Sequence, residues 1–465
     1  MRYVGYHVAQ RTVGQESAKM QLSENLAVPN SRIRVRGPTS IGANLVFTAI
    51  SVSYVALLSW IYNIEISVHW GYMYFYGFMT GTKTTLAALI SIPFSLMASK
   101  DMSTRSVLVI AAHFTFFMPY IVYLVAIGGG AVPWLCLLIL ALSVYLISGI
   151  RISVPVFASV PPLRATYFLG ILVLFFIGLY ILFGGLSTFS LDIYSVYEYR
   201  SDAASNLPSI FAYIFSNLSY TLIPLFALLS AVTKRPSLMV AAVFCGILLF
   251  GMTHHKSVLF GPIFALMLFF LLRWRPNPTV LAGALASIAV IPLLEISYTN
   301  LVRTTPEPSV FSELMIRRTL LVPAMLDTLH IELFKDLDYF WWRNSRVGSL
   351  LGTEASSLSV PYMVGLLFFG NSETAANAGV IGSGFSNAGI LGVMLYSVAS
   401  GLFVALLNGY GDRLGHLFVS SGSIMIFFTL LSGSDLLTML FSNGIILLIV
   451  FLGSIRHKTL ARRPD

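Results

Sequence analysis

Charge is what this sequence has least of. Asp, Glu, Lys and Arg make up 10% of its 465 residues, while 57% are hydrophobic and the mean hydropathy is +0.82. A soluble domain carries roughly a quarter charged residues, because only charge and polarity keep a large surface wet. Here apolar stretches recur from Ile41 almost to the C-terminus, more than a single core can hide. The scarcity excludes a water-soluble fold and predicts an all-α, polytopic integral membrane protein. Cysteine is nearly absent as well. Cys136 and Cys245 each lie within an apolar stretch and lack metal-ligand spacing, so they read as small packing residues. There is no glycine loop ending in Lys-Ser/Thr, no paired-aspartate metal motif and no zinc-protease helix. ATP-driven transport is therefore not encoded, and neither a metal nor a cofactor is expected. Few ionisable residues fall in mid-span, which argues against an ion-coupled transporter.

A span needs about 20 mainly apolar residues to cross the hydrocarbon. By that measure about twelve are predicted, near 41–62, 71–98, 106–128, 132–150, 165–186, 208–231, 237–252, 257–272, 279–298, 384–407, 416–432 and 435–454. Helices are expected because unpaired backbone groups cannot face lipid, and the runs are too long for barrel strands. The predicted organisation is a polar tail over 1–40, nine helices over 41–298, a large loop over 299–383, three helices over 384–454 and a tail over 455–465.

Basic residues orient these spans. The net charge of +9 invites a nucleic-acid reading, but in a membrane protein its distribution matters more, and no nucleic-acid partner is expected. Arg32, Arg34 and Arg36 precede the first span; Lys100/Arg105, Arg151/Arg164, Lys234/Arg235, Arg273/Arg275 and Arg413 occupy every second connection; Arg456, Lys458, Arg462 and Arg463 close the tail. All fall on one side if both termini are cytoplasmic, as the excess of Lys and Arg in cytoplasmic loops requires. The 1–40 segment lacks an apolar core with a cleavage site, so it reads as a tail rather than a secretory signal.

Polar residues on the outer side are the candidates for function. Val196-Tyr197-Glu198-Tyr199-Arg200, followed by Asp202, lies at a predicted lipid boundary. An arginine there can grip a diphosphate through two parallel hydrogen bonds, and tyrosines beside it can stack on a sugar; the plainer reading is an interfacial Arg paired with Glu198 or Asp202. His254-His255-Lys256 opens a span, where free N–H groups and the helix dipole attract anions. Adjacent helical histidines point about 100° apart, so zinc is disfavoured, and His254 reads more simply as a cap.

In the long loop, Ser312 to Phe334 has helical spacing, with Pro323 placed to kink or divide the helix. Arg317 and Arg318 stand near its start, and Asp327 and His330 share a face. Trp341-Trp342-Arg343-Asn344-Ser345-Arg346 suits an interface where indoles sit among headgroups and guanidiniums reach phosphates. Pairing of Arg317 and Arg318 with loop carboxylates, and simple anchoring by the tryptophans, are equally good accounts. The glycines between Asn377 and Phe385 either bend the chain on re-entry or let helices pack closely.

Three pieces carry a resemblance. Leu191 to Arg200 with the later Leu222-Ile223-Pro224, Arg317-Arg318 with Val322-Pro323-Ala324, and Asn377 to Ser397 look like the corresponding stretches of oligosaccharide repeat-unit polymerases, the Wzy-type O-antigen polymerases. Their order around the long loop, with His254-His255-Lys256-Ser257 between them, is also similar and covers roughly residues 190–410. Trp341-Trp342-Arg343 matches only loosely, and the N-terminal third only in hydropathy. The resemblance implies a GT-C-like glycosyltransferase of a bacterial inner membrane, working at the periplasmic face. It would move a growing glycan from undecaprenyl diphosphate onto an incoming lipid-linked repeat unit, alongside a chain-length regulator and a flippase. Arg200, Arg318, Arg317, His255 and Lys256 would then carry the chemistry. Glu198, Tyr199, Asp202, Arg303, His330, Trp342, Arg343, Arg346 and Asn377 would contact substrate. The acceptor's proton could go to His255, Glu198, Asp202, Asp327 or His330. An O-antigen ligase of the same superfamily and a non-enzymatic flippase remain the alternatives. The topology predicts that an alkaline phosphatase fused after Asp336 is active and that one fused after Arg413 is inactive; the opposite pattern would overturn it.

Overall fold

The computed structural model describes residues 41–98, 101–187, 189–192, 207–208, 210–302 and 308–456. Helices account for all its regular elements, and among the described residues strand pairing is limited to one isolated bridge, Val160 with Ile455. The helices are α1 (Ile41–Ile61, prolonged by shorter turns to Met73), α2 (Gly81–Met97), α3 (Thr104–Ile127), α4 (Ala131–Tyr145) and α5 (Pro162–Leu182). Then come α6 (Ile210–Val232), α7 (Pro236–Thr253), α8 (Lys256–Trp274) and α9 (Pro278–Thr299). After them run α10 (Ser312–Leu321 in wide π-helical turns, continued by Val322–Phe334), α11 (Arg346–Leu350) and α12 (Val360–Phe369). The chain closes with α13 (Val380–Leu414), α14 (His416–Ser432) and α15 (Leu436–Ser454). Ten of these are long and apolar enough to cross a membrane, and α2 and α14, of 17 residues each, occupy the two other positions expected of spans.

Local chemistry sets the ends. Thr80 caps α2 by accepting from the Lys83 N–H, and Ser103 caps α3 by accepting from that of Ser106, each satisfying a donor that a helix start leaves unpaired. Gly128 ends α3 in the left-handed conformation. Connections that the arginine and lysine pattern groups together do meet in space. Arg413 on α13 donates to the carbonyls of Leu452, Gly453 and Ile455, and the Thr104 N–H donates to His416 Nδ1. At the opposite face the Tyr74 hydroxyl donates to the Phe368 carbonyl, and the Ser190 N–H to that of Gly251.

The stretch read as a large outer loop is mostly built structure. Ser312 to Phe334 is helical as its spacing predicts, and the change from π-helical to α-helical turns falls one residue before Pro323. The helix does not lie over the bundle as a solvated cap. Its second half packs into the bundle against α13, α3, α4 and α12, with Asp327 and His330 buried. α3 is the central column and is buried along nearly its whole length.

Two spans are interrupted. α13 breaks at Ala388-Gly389, where Gly389 takes φ +59°, and α15 breaks between Phe441 and Ile445, where Gly444 takes φ +96°. Both glycine readings thus have a share: Gly389 makes the bend, inside the span rather than at its entry, while Gly384 and Gly392 pack backbone to backbone. Gly379 lies so near α14 that a Cβ would overlap the Leu431 carbonyl, whereas Gly178 on α5 faces open space. Gly379→Ala should lower the stability of the detergent-solubilised protein by about 1–3 kcal/mol, the usual cost of overpacking. Gly178→Ala should leave it unchanged or slightly raised. Thermal unfolding of the two variants checks both.

Candidate functional site

A cavity of about 640 Å³ lies at the face formed by the starts of α6, α8 and α13 and the segments around 340–345 and 433–438. That volume is within the range of small-molecule sites, roughly 300–1,000 Å³. Its walls combine aromatic rings, among them Tyr220, Phe215 and Trp342, with amide side chains, among them Asn377, Asn387 and Asn443. Two imidazoles and one carboxylate line it among the described residues: His255, His330 and Asp435. No Lys or Arg does so among them.

The broken helices create this lining. At the α13 break the Ser386 and Asn387 carbonyls lose their helical donors, and the Phe340 and Trp341 N–H groups donate to them at 2.8 and 2.9 Å. The Trp342 N–H donates to Asn387 Oδ1 at 2.9 Å. To make these bonds Trp341 and Trp342 adopt left-handed φ values of 47° and 55°. Non-glycine residues there cost on the order of 1 kcal/mol each, which the bonds to α13 offset. At the α15 break Asn217 Nδ2 donates to the Ser442 carbonyl at 2.8 Å, and Asn443 turns its amide to Ser434 Oγ.

A hydrogen-bond chain runs along one wall. Trp342 Nε1 donates to the Tyr396 hydroxyl at 2.7 Å, and that hydroxyl donates to Asp435 Oδ1 at 2.7 Å. Asp435 Oδ2 accepts from the Leu437 and Thr438 N–H groups and so caps α15. Burial pushes the Asp435 carboxyl up from its ordinary range, and the bonds from Tyr396, Thr438 and Leu437 pull it back down.

The opposite wall rests on α10. Asp327 accepts from the Gly382 N–H at 2.9 Å, anchoring the first turn of α13, and burial drives its pKa well above the usual carboxylate range. His330 Nε2 faces the Ala376 carbonyl at 2.9 Å and must donate to it, which leaves Nδ1, 2.9 Å from Ser386 Oγ, as the acceptor in the neutral ring. Burial holds His330 down at about 4, below its ordinary value.

Of the residues singled out from sequence, His255, His330, Trp342 and Asn377 meet at the cavity. His255 is the N-cap residue of α8, and its ring lies 4.3 Å from that of Phe215. Lys256 is half-buried as the first residue of α8, and Arg343 is exposed beside the tryptophans; neither lines the cavity. Arg317 and Arg318 stand elsewhere. At about 1.5 Å per residue Arg318 is roughly 18 Å along α10 from His330. Both guanidiniums share one Glu313 oxygen, at 2.8 and 2.7 Å, and Arg317 is buried against the Trp70 ring at 4.9 Å. This is the carboxylate pairing that the mixed charge of 299–383 allowed. Arg200, Glu198, Tyr199, Asp202 and Arg303 lie outside the described residues, as does the side chain of Arg346. No three His, Cys, Asp or Glu side chains among the described residues group as a metal site.

Sequence reading missed Asp435, Tyr396, Asn387 and Asn443. The available signal was Asp435 itself, a carboxylate directly before an apolar run and so a helix cap. No family model matches the chain, and neither does any curated protein or solved structure.

His330 makes stability depend on pH. Its proton is bound more tightly in the unfolded chain, so its stabilising contribution is complete above about pH 6.5 and is lost as pH falls toward 4, about 3 kcal/mol in all. Asp327 works in the opposite sense, because the folded state holds its proton more tightly and acid favours that state. The stability difference between wild type and His330→Gln, measured by thermal unfolding from pH 8 to pH 4, should therefore shrink as pH falls. A difference independent of pH would refute it.

Proposed function

We propose that the protein is a GT-C-like membrane glycosyltransferase with twelve spans that polymerises undecaprenyl-diphosphate-linked oligosaccharide repeat units, for O-antigen, capsule or exopolysaccharide, at the periplasmic face of a bacterial inner membrane. The observation that carries the reading is the composition of the cavity. Flat aromatic rings match the C–H faces of sugars, and amides and hydroxyls match their hydroxyl groups. A site for a drug-like or lipid tail would lack the amides, and a site for a free anion would show basic residues.

Several arrangements support the assignment. The lining comes from connections that the positive-inside pattern puts outside, where a lipid-linked glycan would be presented. Trp342 is fixed by its backbone bond to Asn387 and its indole bond to Tyr396, so it offers a rigid stacking platform. The diphosphate leaving group needs positive charge in a poorly solvated place. Arg200, a few residues before Leu207 and Pro208 in the cavity wall, is the residue proposed for it, and a metal-independent reaction follows. Arg317 and Arg318 are better explained by Glu313 and Trp70, and they hold the start of α10.

Deleting the gene and examining surface glycan tests the reading. A polymerase predicts loss of long chains with one repeat retained on lipid A. Loss of every repeat would point instead to a ligase or a flippase. In membranes with matched protein levels, Arg200→Ala should slow polymerisation roughly 30-fold to 1,000-fold, the loss of about 2–4 kcal/mol of transition-state stabilisation. Lys at that position should restore only part, because it keeps the charge and loses the two-pronged geometry. Arg318→Ala should polymerise at close to the wild-type rate.

A further inference from the structure

We propose that the cavity holds the acceptor sugar and that Asp435 is the general base that removes the proton from its attacking hydroxyl. The inference rests on the glycosyl-transfer reading above and assigns the two halves of that reaction to different places.

The charge of the walls separates the halves. A diphosphate in this cavity would find no Lys or Arg among the described lining residues and would face Asp435. Two like charges about 4 Å apart repel by about 4 kcal/mol at the effective dielectric of a protein surface. The same carboxylate is an asset beside a neutral sugar. The diphosphate is therefore kept away from Asp435, and the hydroxyl-bearing acceptor is the group placed beside it.

The proton acceptor follows by comparing the three titratable groups. His330 is buried, with Nε2 on the Ala376 carbonyl and Nδ1 against Ser386 Oγ, so neither nitrogen opens to the cavity. His255 lies ring against ring with Phe215. Asp435 is partly exposed to the cavity, and a carboxylate has about four lone-pair sites. Oδ2 uses two for the Leu437 and Thr438 N–H groups, whereas Oδ1 uses one for Tyr396 and retains another. The capping bonds fix the carboxylate's plane. Through Tyr396 it is tied to Trp342, so the base and the ring on which the sugar stacks are held in register.

In the reaction the acceptor oxygen bonds to the donor's anomeric carbon while its proton passes to Asp435 Oδ1. The bond from that carbon to the diphosphate oxygen breaks, and lipid diphosphate leaves with the electron pair. Asp435 then returns its proton to water. Tyr396 is a positioning residue.

The test uses the full-length protein in proteoliposomes with a synthetic undecaprenyl-diphosphate repeat unit, and measures turnover, the KM for acceptor and binding of the diphosphate-free oligosaccharide by tryptophan fluorescence. Asp435→Asn is the informative variant, because its one oxygen still caps α15 and its amide N–H can turn to the Tyr396 hydroxyl, which then accepts, but it is no base. It should fold with an unchanged melting point, bind the free oligosaccharide with near wild-type affinity and lose about 100-fold or more in kcat, the scale of general-base catalysis. Tyr396→Phe should lose less and keep its KM. If Asp435→Asn turns over within threefold of wild type, or if its loss lies in KM and binding, the base assignment is overturned while the polymerase reading stands. If the wild type neither binds the free oligosaccharide nor transfers it, both fall together.

Discussion

Every backbone N–H and carbonyl within a bilayer must find a partner inside the protein, because the hydrocarbon offers none. Most of this chain meets that constraint with continuous helices. At Ala388-Gly389 and at Ser442 to Gly444 it does not, and much of the cavity's polar lining answers the groups left over. The Phe340-Trp341 backbone closes the first break, and Asn217 closes the second. An unpaired buried group costs on the order of 1–3 kcal/mol, so neither break would persist without its cap. The polar chamber is thus a by-product of interrupting two spans near one another.

The same constraint accounts for the conformation of the tryptophan pair. Trp341 and Trp342 are held left-handed because their amides must reach one helix end, and the aromatic platform inherits that rigidity. From there order passes outward through Tyr396 to Asp435, which starts the last helix. Any molecule that enters the chamber therefore meets groups already in place, and it need not spend its binding energy on arranging them.

How far this could be read from residues depended on the range of the interaction. Spans depend on local length and apolarity, and ten of the twelve predicted ones are matched by helices long and apolar enough to cross a membrane. The helix from Ser312 to Phe334 was legible in its spacing because periodicity is also local. Its depth was not. Asp327 and His330 look like solvated polar residues until Gly382, Ala376 and Ser386, some fifty residues on, supply their partners. The adjacent charges of Arg317 and Arg318 were legible, but the Trp70 ring under Arg317, which lies far upstream, was not. Asp435 gave only a capping signal, since its link to Tyr396 exists in the fold alone.

The burial of α10 bears on how the molecule is put together. A helix that begins with Glu313, Arg317 and Arg318 and carries Asp327 and His330 is a poor candidate for entering lipid by itself. Asp327 and His330 become acceptable only when the first turns of α13 stand ready to receive them, and α13 is synthesised afterwards. The bundle must therefore admit α10 late, as a wedge driven into a frame already standing, and the chamber comes into being only with that last step.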